Sequence, residues 1–337
     1  MKRKGIVSAG TVVMDVIKFI DVYPERGNLT TITHESTALG GCVHNVLVDL
    51  AALGANLPLY AVACVGNDAN GRALLDSFAS HGVDCSGVRV LDDCPTSYTD
   101  VMSETSGACA RTFFHNRGAN ARLTAEMVLS ADVPARIFHL GYLLLLDGLD
   151  APDAEYGVVS ARVLDALQRK GYKTSVDLVS EESDRYASCV MPCLPFIDYL
   201  IVNEVEAGRC LGMSLRSASG EIDVAAVSEA CRIFLEKGVG ECAVVHFPEG
   251  GVAMRHGSAA VFEPSERVPS SEIVSSVGAG DAFCAGMLYA LHEGFPLPRA
   301  LRLANASARF NLFSPSSTGG APSLSSLKGS SLQGNSR

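Results

Sequence analysis

Val274-Ser275-Ser276-Val277-Gly278-Ala279-Gly280-Asp281-Ala282-Phe283 is a glycine turn that runs into an apolar helix and carries one acid at its mouth. Two glycines within three residues let the backbone turn with no side chain in the way, so successive N–H groups can point at one anion. The following residues, Asp281 to Glu293, include Phe283, Met287, Leu288, Tyr289 and Leu291 and no proline. They read as a buried helix whose positive dipole end adds to the same anion site. Asp281 falls in the first turn, where two readings stand open. Aspartate at a helix start is a common cap. Beside donors that hold a phosphate, the same carboxylate can take the proton of an attacking hydroxyl, as phosphoryl transfer requires.

Composition narrows the field. Of the 337 residues, 47% are hydrophobic and 19% charged, the balance of a well-packed protein and not of a disordered one. The formal net charge of −10, with no basic cluster, argues against a nucleic-acid or anionic-membrane partner while leaving room for a local positive pocket. Met1-Lys2-Arg3-Lys4 resembles the start of a signal peptide, but the apolar stretch behind it breaks at Asp15 without a small-residue cleavage site, so a cytoplasmic protein is expected. The longest apolar run, Tyr142 to Leu146, is too short to span a bilayer. Eleven cysteines and eight histidines are scattered. The only close cysteine pair is Cys189 and Cys193, so reduced cysteines acting as small apolar residues are expected, not a metal or disulfide framework.

Outward from the glycine turn, strands and helices alternate, which predicts a parallel sheet covered by helices. Gly5 to Gly10 reads as a buried strand with Asp15 shortly beyond it. Val16 to Leu39 and Pro95 to Arg117 read as two β flaps, the second turning at Glu104-Thr105-Ser106-Gly107. Gly40-Gly41 opens a helix with Val43, Val46, Leu47, Leu50 and Leu53 on one stripe. Asn45 sits in its first turn, as a cap or as an amide that meets a ligand hydroxyl. Leu57 to Val65 reads as one strand and Asp68 to His81 as a helix. Asp177, Asn203 and His246 each close an apolar run, and ligands in open α/β sheets gather at the carboxyl ends of strands. Asn203-Glu204-Val205-Glu206 offers two carboxylates to a metal–phosphate site, with a solvated helix face as the plainer reading of Glu206. A dinucleotide-binding dehydrogenase fails on position, because Thr11 to Asp15 stands where its glycine fingerprint should follow the first strand.

In order along the chain, Asp15, Gly40-Gly41-Cys42-Val43-His44-Asn45, Asn203-Glu204-Val205-Glu206 and Gly278-Ala279-Gly280-Asp281 resemble the ribokinase-like, or PfkB, sugar kinases over roughly residues 5 to 327. The resemblance implies a three-layer α/β sandwich with a mostly parallel central sheet and a small β lid. It implies transfer of the γ-phosphoryl group of ATP to a hydroxymethyl group, with Mg²⁺ as cofactor. Carried over by position, Asp281 would be the general base, and Gly278, Ala279 and Gly280 the anion hole. Asp15, Gly41 and Asn45 would hold the sugar. Glu206 would organise the metal, and Asn203, His246 and Asn305 would face the nucleotide. The kinase domain would span residues 1–328, with residues 329–337 as a disordered tail.

Two departures from the family pattern lie near the nucleotide. The usual Asp-Thr before the glycine turn is Ser275-Ser276, and the usual Thr-x-Gly after the late strand is His246-Phe247-Pro248, where proline lacks an N–H. These departures motivate a second reading, a sugar-binding regulator with weakened ATP use; a nucleoside kinase of the same fold is a third. Arg111 and Arg117 in the second flap either meet an acidic acceptor or face solvent. The family implies a possible homodimer through the lid.

Overall fold

The computed structural model describes residues 4–54, 56–105 and 111–327. Its main sheet has eight strands, in the spatial order Val261–Pro264, Gly250–Arg255, Cys242–Phe247, Tyr199–Asn203, Lys173–Leu178, Ile137–Leu143, Ile6–Gly10 and Leu59–Val62. The last six run parallel, and the first two are antiparallel additions at one edge. Parallel strands covered on both faces must be apolar on both, and Ile6–Gly10 is buried at every residue. Its side chains alternate between two cores. Val7, Phe138, Leu140 and Val202 pack under the helices Val159–Arg169 and Val224–Glu236. Ile6, Ile137, Tyr199 and Ile201 pack under Cys42–Ala52, Ala279–Glu293 and Leu297–Asn311. The result is the expected three-layer α/β sandwich.

The two flaps are one structure. Val13–Ile20 pairs antiparallel with Ile32–Gly40 and parallel with Tyr98–Glu104, which in turn pairs antiparallel with Arg111–Asn116, giving one four-stranded sheet. Sequence periodicity is local and cannot see the Met14–Tyr98 register that joins them. Phe113 and Phe114 on the outer strand are more than half and half exposed, respectively. Ser106, Gly107 and the side chain of Arg111 lie outside the described residues, as does the expected tail 329–337.

Other differences have physical causes. The single strand expected over Leu57 to Val65 divides: Leu59–Val62 joins the main sheet, whereas Cys64–Gly66 pairs with Arg89–Leu91. The apolar run at Tyr142 to Leu146 leaves the strand through Tyr142 and Leu144, both at positive φ (59° and 83°), a conformation apolar content does not announce. The edge strands Gly250–Arg255 and Val261–Pro264 had no sequence reading. Phe247 pairs with Gly250, so Pro248 occupies a two-residue hairpin turn where its missing N–H costs no ladder bond. Among the described residues, no helix is long and apolar enough to cross a membrane.

Candidate active site

The helix Ala279–Glu293 begins at Gly278, whose φ of 81° and ψ of −3° are left-handed, a conformation glycine adopts at little cost. The Ala279 N–H turns back to Ser276 O, and the Ala282 N–H closes the first helical bond to Gly278 O. Between them, the N–H groups of Gly280 and Asp281 lie in the first turn, where no carbonyl of the helix is in reach. No side chain caps this helix. The Asp281 carboxylate points elsewhere: Asn45 Nδ2 donates to it at 2.8 Å, and the Tyr142 hydroxyl lies 2.9 Å from both of its oxygens. Asp281 is buried, and desolvation, then the nearby Asp177 charge, push its pKa up to about 6 despite these two donors.

Asp281 lines a cleft of about 190 Å³ with Gly280, Tyr142, Asp177, Ser180, Asn203, Glu206, His246 and Cys284. Asp177, Asn203 and His246 come from three strand ends, as the closing polar residues of those strands predicted. Asp177 accepts the Tyr142 backbone N–H at 2.8 Å. His246 stacks on Phe283 (centroids 4.6 Å apart), and desolvation lowers its pKa to about 4, so it is a neutral ring at pH 7.

Asn203 and Glu206 form a reciprocal capping box at the start of the helix Glu204–Leu211. The Asn203 side chain accepts the Glu206 N–H at 2.8 Å, and Glu206 accepts the Asn203 N–H at 3.0 Å. The other Glu206 oxygen accepts the Ser180 hydroxyl at 2.9 Å. Glu206 is therefore buried and not on a solvated face, and desolvation pushes its pKa up to about 7. The second acid of that motif leaves the site: Glu204 pairs with Arg216 at 2.6 Å.

Asp15 lies apart from this cleft, in a small hollow with Ile17, Ala38, Val101, Phe113, Val277, Pro315, Ser316 and Ser317. Desolvation raises its pKa to about 6, partly offset by a hydrogen bond from Thr99. Gly41 caps the helix Cys42–Ala52 at φ 86°, and a Cβ there would lie 2.6 Å from Thr11 O. Asn45 links the two spaces: its amide donates to Asp281 and its oxygen accepts from Ser317 at 2.9 Å. Asn305 is elsewhere, in another pocket of about 190 Å³ with Glu263, Pro264, Arg302, Arg309 and Phe310, where its Nδ2 donates to Glu263 O at 3.0 Å. Arg117 pairs with Asp147, and Lys18 with Asp100.

Tyr142, Ser180 and Ser317 were not singled out in the sequence. Tyr142 stood inside an apolar run, and its signal was the polar tip at a strand's carboxyl end next to Gly141. Ser317 lay in a serine-rich stretch beyond the last apolar pattern, yet it is buried.

A carboxylate and open N–H groups at a helix start, facing a cleft at the carboxyl ends of a parallel sheet, define an α/β enzyme whose site lies beyond the ends of the central strands. The chain belongs to the pfkB family of carbohydrate kinases, whose model matches residues 3–324. It is 25% identical over 307 residues to a ribokinase of Arabidopsis thaliana, covering 90% of this chain and 74% of that protein. It is 26% identical to a 2-dehydro-3-deoxygluconokinase of Bacillus subtilis, covering 90% and 89%. The structure of the Arabidopsis thaliana ribokinase complexed with ribose and ATP superposes with a TM-score of 0.78 at 22% identity, covering 97% of this chain and 98% of that one.

Proposed function

We propose that this protein transfers the γ-phosphoryl group of ATP to a hydroxymethyl group of a neutral sugar or nucleoside, with Asp281 as general base. The observation that carries the reading is the Asp281 carboxylate, buried at an uncapped helix start beside open N–H groups and linked through Asn45 to the hollow at Asp15. In the transfer, the acceptor O–H gives its proton to Asp281 while its oxygen bonds to the γ-phosphorus. The bond to the β-phosphate oxygen breaks, and ADP leaves. The N–H groups of Gly280 and Asp281 face the charge that spreads over the transferring group, whereas the Ala279 N–H, expected to share that role, is engaged with Ser276 O. Asp15 and Asn45 hold acceptor hydroxyls, and Gly41 lets the backbone approach closely enough to shape that hollow. Asn45 keeps a second N–H free for this while its amide holds Asp281 and Ser317. The four-stranded sheet serves as the lid over this hollow. His246 and Asn203 border the phosphates, and Asn305 borders the nucleotide base.

The preference for a neutral acceptor follows from charge. Among the described residues, Asp15 is the only charged one lining the hollow, and the lid cations Lys18 and Arg117 are already paired, which favours a neutral acceptor. A panel of neutral sugars, nucleosides, sugar acids and sugar phosphates, assayed for ADP release, tests this. Turnover confined to acidic or phosphorylated acceptors would overturn the preference. Sugar binding without turnover on any acceptor would favour the regulator.

Mg²⁺ fits the chemistry of the cleft wall, because Glu206 is a buried carboxylate with two hydrogen-bond donors and, among the described residues, no cation paired with it. Glu206, supported by Asn203, would hold it, and the ion would supply neutralisation of the phosphate charge. Glu206→Gln keeps the capping geometry but loses the charge. Its expected result is a KM for Mg–ATP raised about tenfold with the acceptor KM little changed, a loss of ~1.4 kcal/mol in nucleotide binding. Equal rises in both KM values would argue for a purely structural role.

Because the base acts only when ionised, kcat/KM falls on the acid side with an apparent pKa of about 6. Tyr142→Phe removes a hydroxyl that stabilises the carboxylate, so this limb moves to higher pH and activity at pH 7 falls. An unmoved limb in Tyr142→Phe would detach the limb from Asp281.

A further inference from the structure

One helical turn behind Asp281, four donor side chains from four elements converge in the core. Cys284 stands three residues after Asp281 on the same helix. Cys42 opens the helix Cys42–Ala52, and His139 and Asp177 come from adjacent strands in which His139 is paired with Ser175. One ligand atom each from Cys42, His139 and Asp177 lies within 4.8 Å of the other two. His139 Nε2 is 3.6 Å from Asp177 Oδ2 and 3.8 Å from Cys284 Sγ. All four residues are buried, His139 and Cys42 completely.

We infer that Cys42, His139 and Asp177 hold a thiophilic divalent cation, Zn²⁺ in the first instance, at a place distinct from Glu206, with Cys284, the neighbour of His139, drawn in as the fourth donor when the ion binds. The spacings suit a site that tightens on its ion. Zn–S, Zn–N and Zn–O bonds of about 2.0–2.3 Å set the donors of a tetrahedron roughly 3.3–3.8 Å apart. The two His139 distances fall in that range, and the donor atoms of Cys42, His139 and Asp177, all within 4.8 Å of one another, reach it with a small contraction. His139 Nδ1 is 3.2 Å from Ser175 Oγ, an outer contact that leaves Nε2 to the metal in the tautomer where Nδ1 donates. Gly141 makes room for the sulfur: a Cβ there would lie 1.6 Å from Cys42 Sγ. Asp177 and Cys284 also line the cleft, which provides the way in.

The donor set selects the metal. Two sulfurs and an imidazole suit Zn²⁺ and not Mg²⁺, which prefers oxygen. Without metal, burial and then the Asp177 and Asp281 charges keep both thiols protonated. Binding releases both thiol protons to solvent and leaves two thiolates and one carboxylate on the cation. It also ties together the four elements that frame Asp281.

The test is spectroscopic and therefore stands apart from phosphoryl transfer. The chelator-treated full-length protein is titrated with Co²⁺. The expected result is one equivalent bound, with thiolate charge-transfer absorption in the near ultraviolet and the strong visible bands of four-coordinate cobalt, all bleached by one equivalent of Zn²⁺. Cys42→Ser and Cys284→Ser each weaken the charge-transfer band, and the double variant abolishes it, whereas Glu206→Gln retains it. Only the weak spectrum of six-coordinate cobalt in the unaltered protein would overturn the site, whether or not the variants fold. Bands that persist in a folded double variant would overturn it as well, by assigning them to the partly exposed Cys85 or Cys94.

Discussion

Asp281→Asn is expected to lower kcat by about 10²–10⁴-fold, the range a positioned general base contributes, with the KM for the acceptor little changed. Asparagine matches the shape of aspartate, and its Oδ1 can still accept from Asn45 or Tyr142, so the packing around the helix start survives. What it cannot do is accept a proton. The reading as a helix cap predicts the opposite pattern, a modest loss of stability with turnover preserved, since caps are worth about 0.5–2 kcal/mol and take no part in chemistry. The geometry speaks against the cap. The helix is capped by no side chain, and the carboxylate bonds to Asn45 on one helix and Tyr142 at a strand end. Steady-state kinetics with the best acceptor, beside a thermal melt, provide the measurement. A variant with near-normal kcat would remove Asp281 from the reaction.

The fold was legible because its signals are local. Apolar runs without alternation mark strands buried on both faces, as at Ile6–Gly10 and Tyr199–Asn203, and helical stripes mark what covers them. The position of Asp281 in its helix was equally local, written in Gly278-Ala279-Gly280. What the sequence withheld depends on contacts between distant residues. Tyr142 reaches Asp281 across 139 positions, and Ser317 reaches Asn45 across 272. Neither residue type nor spacing reports such a meeting. The cysteines show the same limit: scattered through the sequence, they gave no ligand spacing, yet Cys42 lies within 4.8 Å of His139 and Cys284 at 3.8 Å, because two helices pack side by side on one face of the sheet. For Glu206 the sequence left a solvated face open beside the metal-site reading, and only the capping box, which buries the acid, excludes that face.

Two glycines in the opening stretch should respond very differently to the same methyl group. At Gly278, an alanine must hold a left-handed φ of 81°, which costs roughly 1–2 kcal/mol in a non-glycine residue. Its Cβ would also lie 2.3 Å from Ser317 O and 2.7 Å from Ser317 Cα, both backbone atoms, so the chain there has to move. Ser317 holds Asn45 through its hydroxyl, and Asn45 holds Asp281, so the displacement passes along hydrogen bonds of 2.9 and 2.8 Å to the carboxylate. Gly278→Ala should therefore lose about 2–4 kcal/mol of stability. Its kcat should fall about 10²-fold, the cost of moving a reacting group by about an ångström. At Gly280 the nearest atom to an added Cβ is His246 Cε1 at 3.6 Å, an ordinary contact. Gly280→Ala should melt with the unaltered protein, while the methyl narrows the cleft between His246 and Asp281 and raises the KM for ATP more than it lowers kcat. Thermal melts and the split between kcat and the two KM values distinguish these outcomes. If Gly278→Ala retained both its stability and its turnover, the path from Ser317 through Asn45 would not govern the placement of Asp281, and the helix start would be a tolerant turn instead of a positioned anion site.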